Sequence, residues 1–402
     1  MSVTPSTCPA DRLPVAKWRL GRGASIWVAA GVVAHTLWTS AAPAMVYPLY
    51  AAEWGLSHAT ITAIFAIYPI TVVAVLIGAG DISDHIGRRA TMLLGLAASL
   101  AGVLVFALAP DVSWLFVGRA LMGIGVGLSA GPSTAAMVEF MAPGQLNRAS
   151  ALTTCAQALG FGSALLIGGA LIQYAPAPTR LPFWLLAVVI TALLVATWFL
   201  PCDYRAGAGK WRPKLPAIPR GLRGPFITSA AAVTTAYTHG VLVLSLGAQV
   251  AHDLVGSPNA FVNGAALSLF ALTSAILGIA GKALSPRLAL GIGAGGSAAG
   301  MALLALAVER HDLAVFLAAN AVAGAGYALL FRGGLELINA VTTMAHRGGV
   351  LSAVYLLAYT SLGIVALSLG AVATEWNLGL AIDLGAGFIA LLSVLTLMLA
   401  LA

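Results

Sequence analysis

The chain has 402 residues, of which 60% are hydrophobic and only 8% charged, and its mean hydropathy is +0.96. Soluble domains carry roughly 25% charged residues, and no globular core could hide this much apolar surface, so lipid must solvate most of the chain. The net charge of +7 would suit nucleic acid if it were clustered, but it is spread over the ends of apolar runs, which points to membrane topology and to no nucleic-acid partner.

Residues 1–24 hold Arg12, Lys17, Arg19 and Arg22 and read as a cytoplasmic N-terminal segment. The apolar run that follows is too long for a signal peptide and has no cleavage pattern, so it should stay as a span. Spans of about 20 apolar residues are predicted over 25–50, 59–80, 90–109, 113–138, 150–174, 182–201, 226–251, 259–281, 288–308, 313–337, 349–373 and 378–401. The expected fold class is therefore an all-α membrane protein with twelve transmembrane helices. They fall into an N-terminal six-helix bundle (25–201) and a C-terminal six-helix bundle (225–402), joined by a basic cytoplasmic linker (202–224) with Arg205, Lys210, Arg212, Lys214, Arg220 and Arg223. With the N-terminus inside, sixteen of the 20 Lys and Arg fall in cytoplasmic segments, so both termini are expected in the cytoplasm. Trp27, Trp114, Trp184, Trp198 and Trp376 sit near span ends, as an interfacial aromatic belt requires.

The two bundles share a pattern. Gly123-Ile-Gly125 has a counterpart 201 residues later in Gly324-Ala-Gly326, and Gly55 and Gly80 match Gly256 and Gly281 at the same offset. Parallel six-span repeats place a substrate site at the repeat interface near the bilayer midplane. Cys8, Cys155 and Cys202 are too scattered for a metal site or a disulfide framework.

The connector after the second span reads Gly80-Asp81-Ile82-Ser83-Asp84-His85-Ile86-Gly87-Arg88-Arg89. Gly80, Asp84, Gly87, Arg88 and Arg89 match the signature loop of the major facilitator superfamily, which the chain resembles over nearly its whole length; His85 stands at a usual Arg or Lys. The resemblance implies a conformational latch. Asp84 would face the N-terminus of helix eleven near Gly349, where free N–H groups favour an anion. Arg88 would pair with Glu139, and such contacts would hold the bundles together on the cytoplasmic side. The second loop has Ser285 where the acid would be, so its latch is degenerate. In span four, Arg119 precedes Gly123 by four residues, similar to a family motif associated with proton coupling, with Met122 at the family's Gln. A buried arginine is costly unless paired or hydrated, which makes Arg119 functional on physical grounds as well. Only Gly168-Gly169 survives of the Gly-Pro motif that drug antiporters carry in span five.

Further polar residues lie inside spans. His35 and Trp38 share a face of span one, and Tyr237 and His239 sit at nearly the equivalent depth of span seven. Span ten holds Asn320, Tyr327 and the possible i,i+4 pair Arg332 and Glu336. Proton coupling is assigned to Arg119, His35, His239 and Glu336, and a substrate cavity to His35, Trp38, Tyr68, Arg119, Gln157, Tyr237, His239, Asn320, Tyr327, Arg332, Tyr355 and Tyr359. Asp383 is expected to reach water near the outer end.

No phosphate loop, metal spacing or nucleophilic triad is present, so neither an enzyme nor a cofactor is expected. The expected function is secondary active transport by alternating access, as proton-coupled efflux of small apolar or amphiphilic compounds. The segments Tyr47 to Ser57 and Ile64 to Tyr68 resemble bacterial members classed with drug and metabolite exporters. Proton-coupled uptake or exchange of a small organic anion is the alternative, resting on Arg119, Arg332 and the two histidines. The expected partners are substrate, protons and the bilayer of a bacterial inner membrane, with the protein a monomer.

Overall fold

In hydrocarbon the backbone N–H and C=O groups have only each other as partners, so every apolar run must close its hydrogen bonds as a helix. The computed structural model describes residues 19–80, 82–142, 145–201, 220–342 and 344–401. In the first half the helices are α1 (Arg22–Ala41), α2 (Tyr47–Trp54), α3 (His58–Ala79), α4 (Ile82–Ile86), α5 (Arg88–Ala107), α6 (Val112–Phe140), α7 (Leu146–Tyr174) and α8 (Leu181–Trp198). The second half comprises α9 (Arg223–Gly240), α10 (Gly247–Gln249), α11 (Ala260–Ala280), α12 (Pro286–Arg310), α13 (Leu313–Val341), α14 (Met344–Glu375) and α15 (Leu378–Leu401). Among the described residues, 11 helices are long and apolar enough to cross a membrane. The exception among the long helices is α1, whose 20 residues include His35, Thr36, Thr39 and Ser40. Asp11 to Lys17 and most of the basic linker, including Arg205, Lys210, Arg212 and Lys214, lie outside the described residues.

The repeat read in the glycines extends to the helix caps. Asp111 accepts from the N–H of Ser113 at 2.8 Å at the start of α6. Asp312, 201 residues on, does the same for Ala314 at 2.8 Å at the start of α13. Each cap satisfies an N–H that the helix itself leaves open. Gly55 and Gly256 both take positive φ, 63° and 78°, the left-handed turn that glycine makes at no steric cost. Ser285, at the position where the acid is missing from the second loop, caps α12 through the N–H of Leu288.

The first long helix of each half is broken, where the sequence predicts unbroken spans over 25–50 and 226–251. After Ala41 the chain turns through residues 42–46 before α2. The equivalent stretch after α9 forms two five-residue π turns, Val241–Ser245 and Val250–Leu254. Pro43 and the Gly240 and Gly247 flanks supply the weak points.

Within each half the Gly-x-Gly runs let one helix touch two neighbours. Residues two apart on a helix are roughly 200° apart around the axis, so the two glycines face opposite ways. Gly123 lies against the Tyr68 carbonyl of α3, while Gly125 lies against Ser99 N of α5. Gly324 lies against Phe270 of α11 and Gly326 against Ser297 of α12. A Cβ at any of these four positions would collide with backbone, which is the small-residue packing that membrane helices use in place of a hydrophobic drive. Large apolar side chains such as Leu159, Val188, Leu391 and Met398 point outward and are exposed, as are the five span-end tryptophans Trp27, Trp114, Trp184, Trp198 and Trp376. This outer surface, apolar over the span lengths, is that of an integral membrane protein.

Candidate functional site

Two crossings join the halves, α3 with α14 and α7 with α11. They are equivalent under the repeat. The N–H of Ala59 donates to Thr374 Oγ1 at 2.8 Å, and the N–H of Ala260 donates to Gln173 Oε1 at 2.9 Å. Ala59 and Ala260 are 201 residues apart, and so are Gln173 and Thr374. At each crossing a glycine permits the approach: Gly370 lies against Thr62, and Gly169 against the Ala260 carbonyl. A third contact, His58 Nδ1 with Gln249 Oε1 at 3.1 Å, adds to the same end. The halves are thus sealed where α3 and α11 begin.

Toward the other end the halves part around a cavity of about 590 Å³, within the usual range for a small-molecule site. Its inner part is aromatic: Phe65, Tyr68, Phe161, Tyr237, Phe270, Tyr327, Phe331 and Tyr359. Most of these rings touch one another. Tyr237 and Tyr359 meet edge to face at 4.9 Å, and Phe270 and Tyr327 lie 5.2 Å apart. Farther out the wall becomes polar, with Ser150, Thr154, Lys282, Arg332, Glu336 and Asn339. Arg332 Nη2 donates to Glu336 Oε1 at 2.6 Å and Nη1 to the Gly278 carbonyl at 3.2 Å. The mouth lies at the same end as the start of α1, where Arg22 Nε donates to the Phe140 carbonyl at 2.6 Å.

The cavity includes seven of the residues predicted for it or for coupling, namely Tyr68, Gln157, Tyr237, Tyr327, Arg332, Glu336 and Tyr359. Six others predicted to line it stand behind its wall. Arg119 has no exposed surface. Its guanidinium stacks 4.8 Å above the Tyr68 ring and 5.5 Å above Phe65, donates to the Ser40 carbonyl at 3.0 Å, and leaves Nε and Nη2 unpartnered. The two aromatic rings are what separate it from the cavity. His35 and His239 are also fully enclosed, because each is held inside its own half by a serine. His35 Nδ1 donates to the Val32 carbonyl at 2.9 Å while Nε2 meets Ser99 Oγ at 3.0 Å. His239 Nδ1 donates to the Thr235 carbonyl at 2.9 Å while Nε2 meets Ser297 Oγ at 3.2 Å. A carbonyl can only accept, so Nδ1 carries hydrogen in both rings. Asn320 spends its amide on the Phe316 carbonyl at 2.9 Å. Tyr355 packs behind Tyr237 and Phe331 with its ring tilted against both, and Trp38 is partly buried against the core.

In the connector loop, Arg88 Nε donates to Glu139 Oε1 at 2.6 Å. Both residues belong to the first half, so this pair ties the loop to α6 and does not itself bridge the halves. Gly80 ends α3, and Gly87 takes φ 91° between α4 and α5. Arg89 lies 5.5 Å over the Trp198 ring. Asp84 is exposed on α4; the side chains of residues 344–348, on the segment the family pattern sets opposite it, are outside the described ones. Asp383 is exposed on α15.

Sequence reasoning missed the four phenylalanines of the cavity and every residue of the seal. Phenylalanines in a span are indistinguishable from lipid-facing ones without the helix orientation. Gln173 and Thr374 differ in type, so the repeat did not expose their shared role.

Fold and site together define a polytopic helical membrane protein of two repeat-related halves with a cavity between them that is sealed at one end. The family model of the Major Facilitator Superfamily matches residues 27–288, well over half of the chain, and the chain belongs to that family. It is 30% identical over 154 residues to the multidrug efflux pump LfrA of Mycolicibacterium smegmatis, covering 37% of this chain and 30% of that protein. Similarity at 30% over 215 residues links it to the vesicular acetylcholine transporter of Homo sapiens, covering 51% and 40%. A third relative, the multidrug resistance protein MdtH of Yersinia enterocolitica, is 30% identical over 196 residues, covering 47% and 48%. The chain thus spans less than half the length of each of these relatives.

Proposed function

We propose that the protein is a secondary active transporter that exports small apolar or amphiphilic compounds by alternating access, coupled to protons. The observation that carries this reading is the cavity between the two halves, closed where α3 and α11 begin and lined by both. Rocking the halves about the cavity would exchange the seal at α3 and α11 for one at the mouth. With the basic loops inside, the mouth faces the cytoplasm of a bacterial cell and the structure is the inward-facing state. Both termini then lie inside, and the protein works as a monomer in the inner membrane. The aromatic wall suits apolar and aromatic bodies.

Glu336 is the acid among the described cavity residues, and we assign it the proton. The buried histidines already use both ring nitrogens, which favours a packing role for them. Uptake of an organic anion drew on Arg119, Arg332, His35 and His239; of these, Arg332 alone reaches the cavity. Liposomes holding the purified protein and a pH-sensitive dye test the proposal. Proton movement opposite to an aromatic compound is expected, and substrate movement with no proton flux would refute the coupling.

A further inference from the structure

The cavity is graded in a way that efflux of apolar compounds does not require. Its inner part is built from aromatic rings, while the outer wall carries Arg332 beside Glu336. Arg332 is mostly buried, with 14% of its side chain exposed, whereas Glu336 is 39% exposed. The Arg332 Nε is buried and makes no hydrogen bond. A guanidinium presents five donors in a planar fork suited to a carboxylate. Here Glu336 uses one of them through a single bond, so the pair is not the bidentate arrangement that would saturate it.

The rings and the charge lie on the same helix. Tyr327, Phe331 and Arg332 are all on α13, and the rings of Tyr327 and Phe331 stack with centroids 6.0 Å apart. Five residues of helix separate Tyr327 from Arg332, roughly 7.5 Å along the axis. A ligand whose aromatic body sits among Tyr237, Phe270, Tyr327 and Tyr359 would therefore bring a substituent one short arm away to the guanidinium.

We infer that the cavity selects amphiphilic anions, an aromatic body carrying one carboxylate or similar group, and that Arg332 is the residue that reads the charge. The ligand's anionic head competes with Glu336 for Arg332. This rests on the cavity being the substrate site of a transporter.

The test uses the full chain in detergent or nanodiscs and three probes of one shape: 1-naphthylacetate, its amide, and a naphthylmethyl trimethylammonium. Affinities are read by isothermal titration. The carboxylate should bind at least about tenfold more tightly than the amide, or 1.4 kcal/mol, and the ammonium most weakly. Arg332→Gln should weaken the carboxylate at least about tenfold more than it weakens the amide, and Arg332→Lys should restore part of the difference. Glu336→Gln, which removes the competitor and keeps the shape, should tighten the carboxylate. Equal binding of carboxylate and amide, tightest binding of the ammonium, no binding of the carboxylate, or a carboxylate preference that survives Arg332→Gln would each overturn the inference. Flux into liposomes is measured separately. Selective binding without flux would sink the transport reading and leave the selectivity standing; flux of amide and carboxylate at equal rates would do the reverse.

Discussion

The two halves share a scaffold and differ in what they hang on it. Caps, left-handed glycines, helix crossings and even the enclosed histidines recur. His35 with Ser99 is mirrored by His239 with Ser297. Where the halves diverge is chemistry. Arg119 of the first half is matched 201 residues on by Asn320, so a buried cation in one half corresponds to a neutral amide in the other. Asp84 in the first connector loop is matched by Ser285, which caps a helix instead. Tyrosines and the Arg332–Glu336 pair gather on the second half's side of the cavity, while the first half offers Tyr68 and Gln157. Positions that recur hold the shape, and the positions that break the repeat differ in charge and polarity.

If that division is right, the largest effects come from the shared crossings and should be equal in the two halves. Gly125→Val and Gly326→Val each drive a branched side chain into facing backbone. Overpacking of this kind costs about 1–3 kcal/mol. Both variants should lower the apparent melting temperature in detergent by similar amounts, and a loss confined to one half would break the comparison.

The next test concerns the unmatched pair Arg119 and Asn320. Arg119→Ala removes cation–π contacts worth about 2 kcal/mol in a dry site, on the order of thirtyfold in an equilibrium. Transport in liposomes should be essentially lost while the protein remains folded and monodisperse. Asn320→Ala, at the equivalent place, should stay within about twofold of the parent, because its side chain bonds only to its own helix. Near-normal transport by Arg119→Ala would remove its assigned role.

A smaller effect is expected at the seal. A side-chain to backbone hydrogen bond between membrane helices is worth roughly 0.6–1.7 kcal/mol. Gln173→Ala and Thr374→Ala should each shift the population away from the state sealed at that end. Single cysteines placed near Thr62 or Ala260 would report this as faster labelling from the outside, about three- to fifteenfold, and the double variant should show both effects. Labelling unchanged in either single variant would mean that its bond does not hold the gate.

What the sequence disclosed follows the same division. Span positions were legible because hydrophobic length is a one-dimensional property, and the glycine repeat was legible because backbone crossings admit only the smallest residue. The turn at residues 42–46 and the π-helical stretches at 241–245 and 250–254 were not, since apolar residues continue through them. Likewise Arg119 was read into the cavity from a family motif and its place inside a span, and His35 and His239 from their depth. Depth does not say which way a side chain turns, and in each case a ring or a serine on a neighbouring helix stands between it and the open space. The pairing of Arg88 with Glu139 came from resemblance, since nothing in the spacing brings residues 51 apart together.

That pair carries the smallest prediction. Both side chains are substantially exposed, at 33% and 49%, and ion pairs of that kind contribute about 0.2–1 kcal/mol. Arg88→Ala should therefore cost little stability. Its effect should show in turnover, because the bond fixes the loop that carries Asp84 to α6 within one half. With the loop loosened, Asp84 would meet its partner across the cytoplasmic gap less often, and the outward-facing state would be less favoured. Transport should slow by less than about fivefold, with an unchanged ranking of substrates. Salt should narrow the gap between Arg88→Ala and the parent, since exposed charges are screened within about 8 Å at physiological ionic strength. Asp84→Asn should slow cycling in the same way, and a changed substrate ranking at an unchanged rate would show that the loop acts on the cavity and is no latch. The second loop supplies the control: Ser285→Ala should cost a helix cap, about 1 kcal/mol, and leave turnover alone.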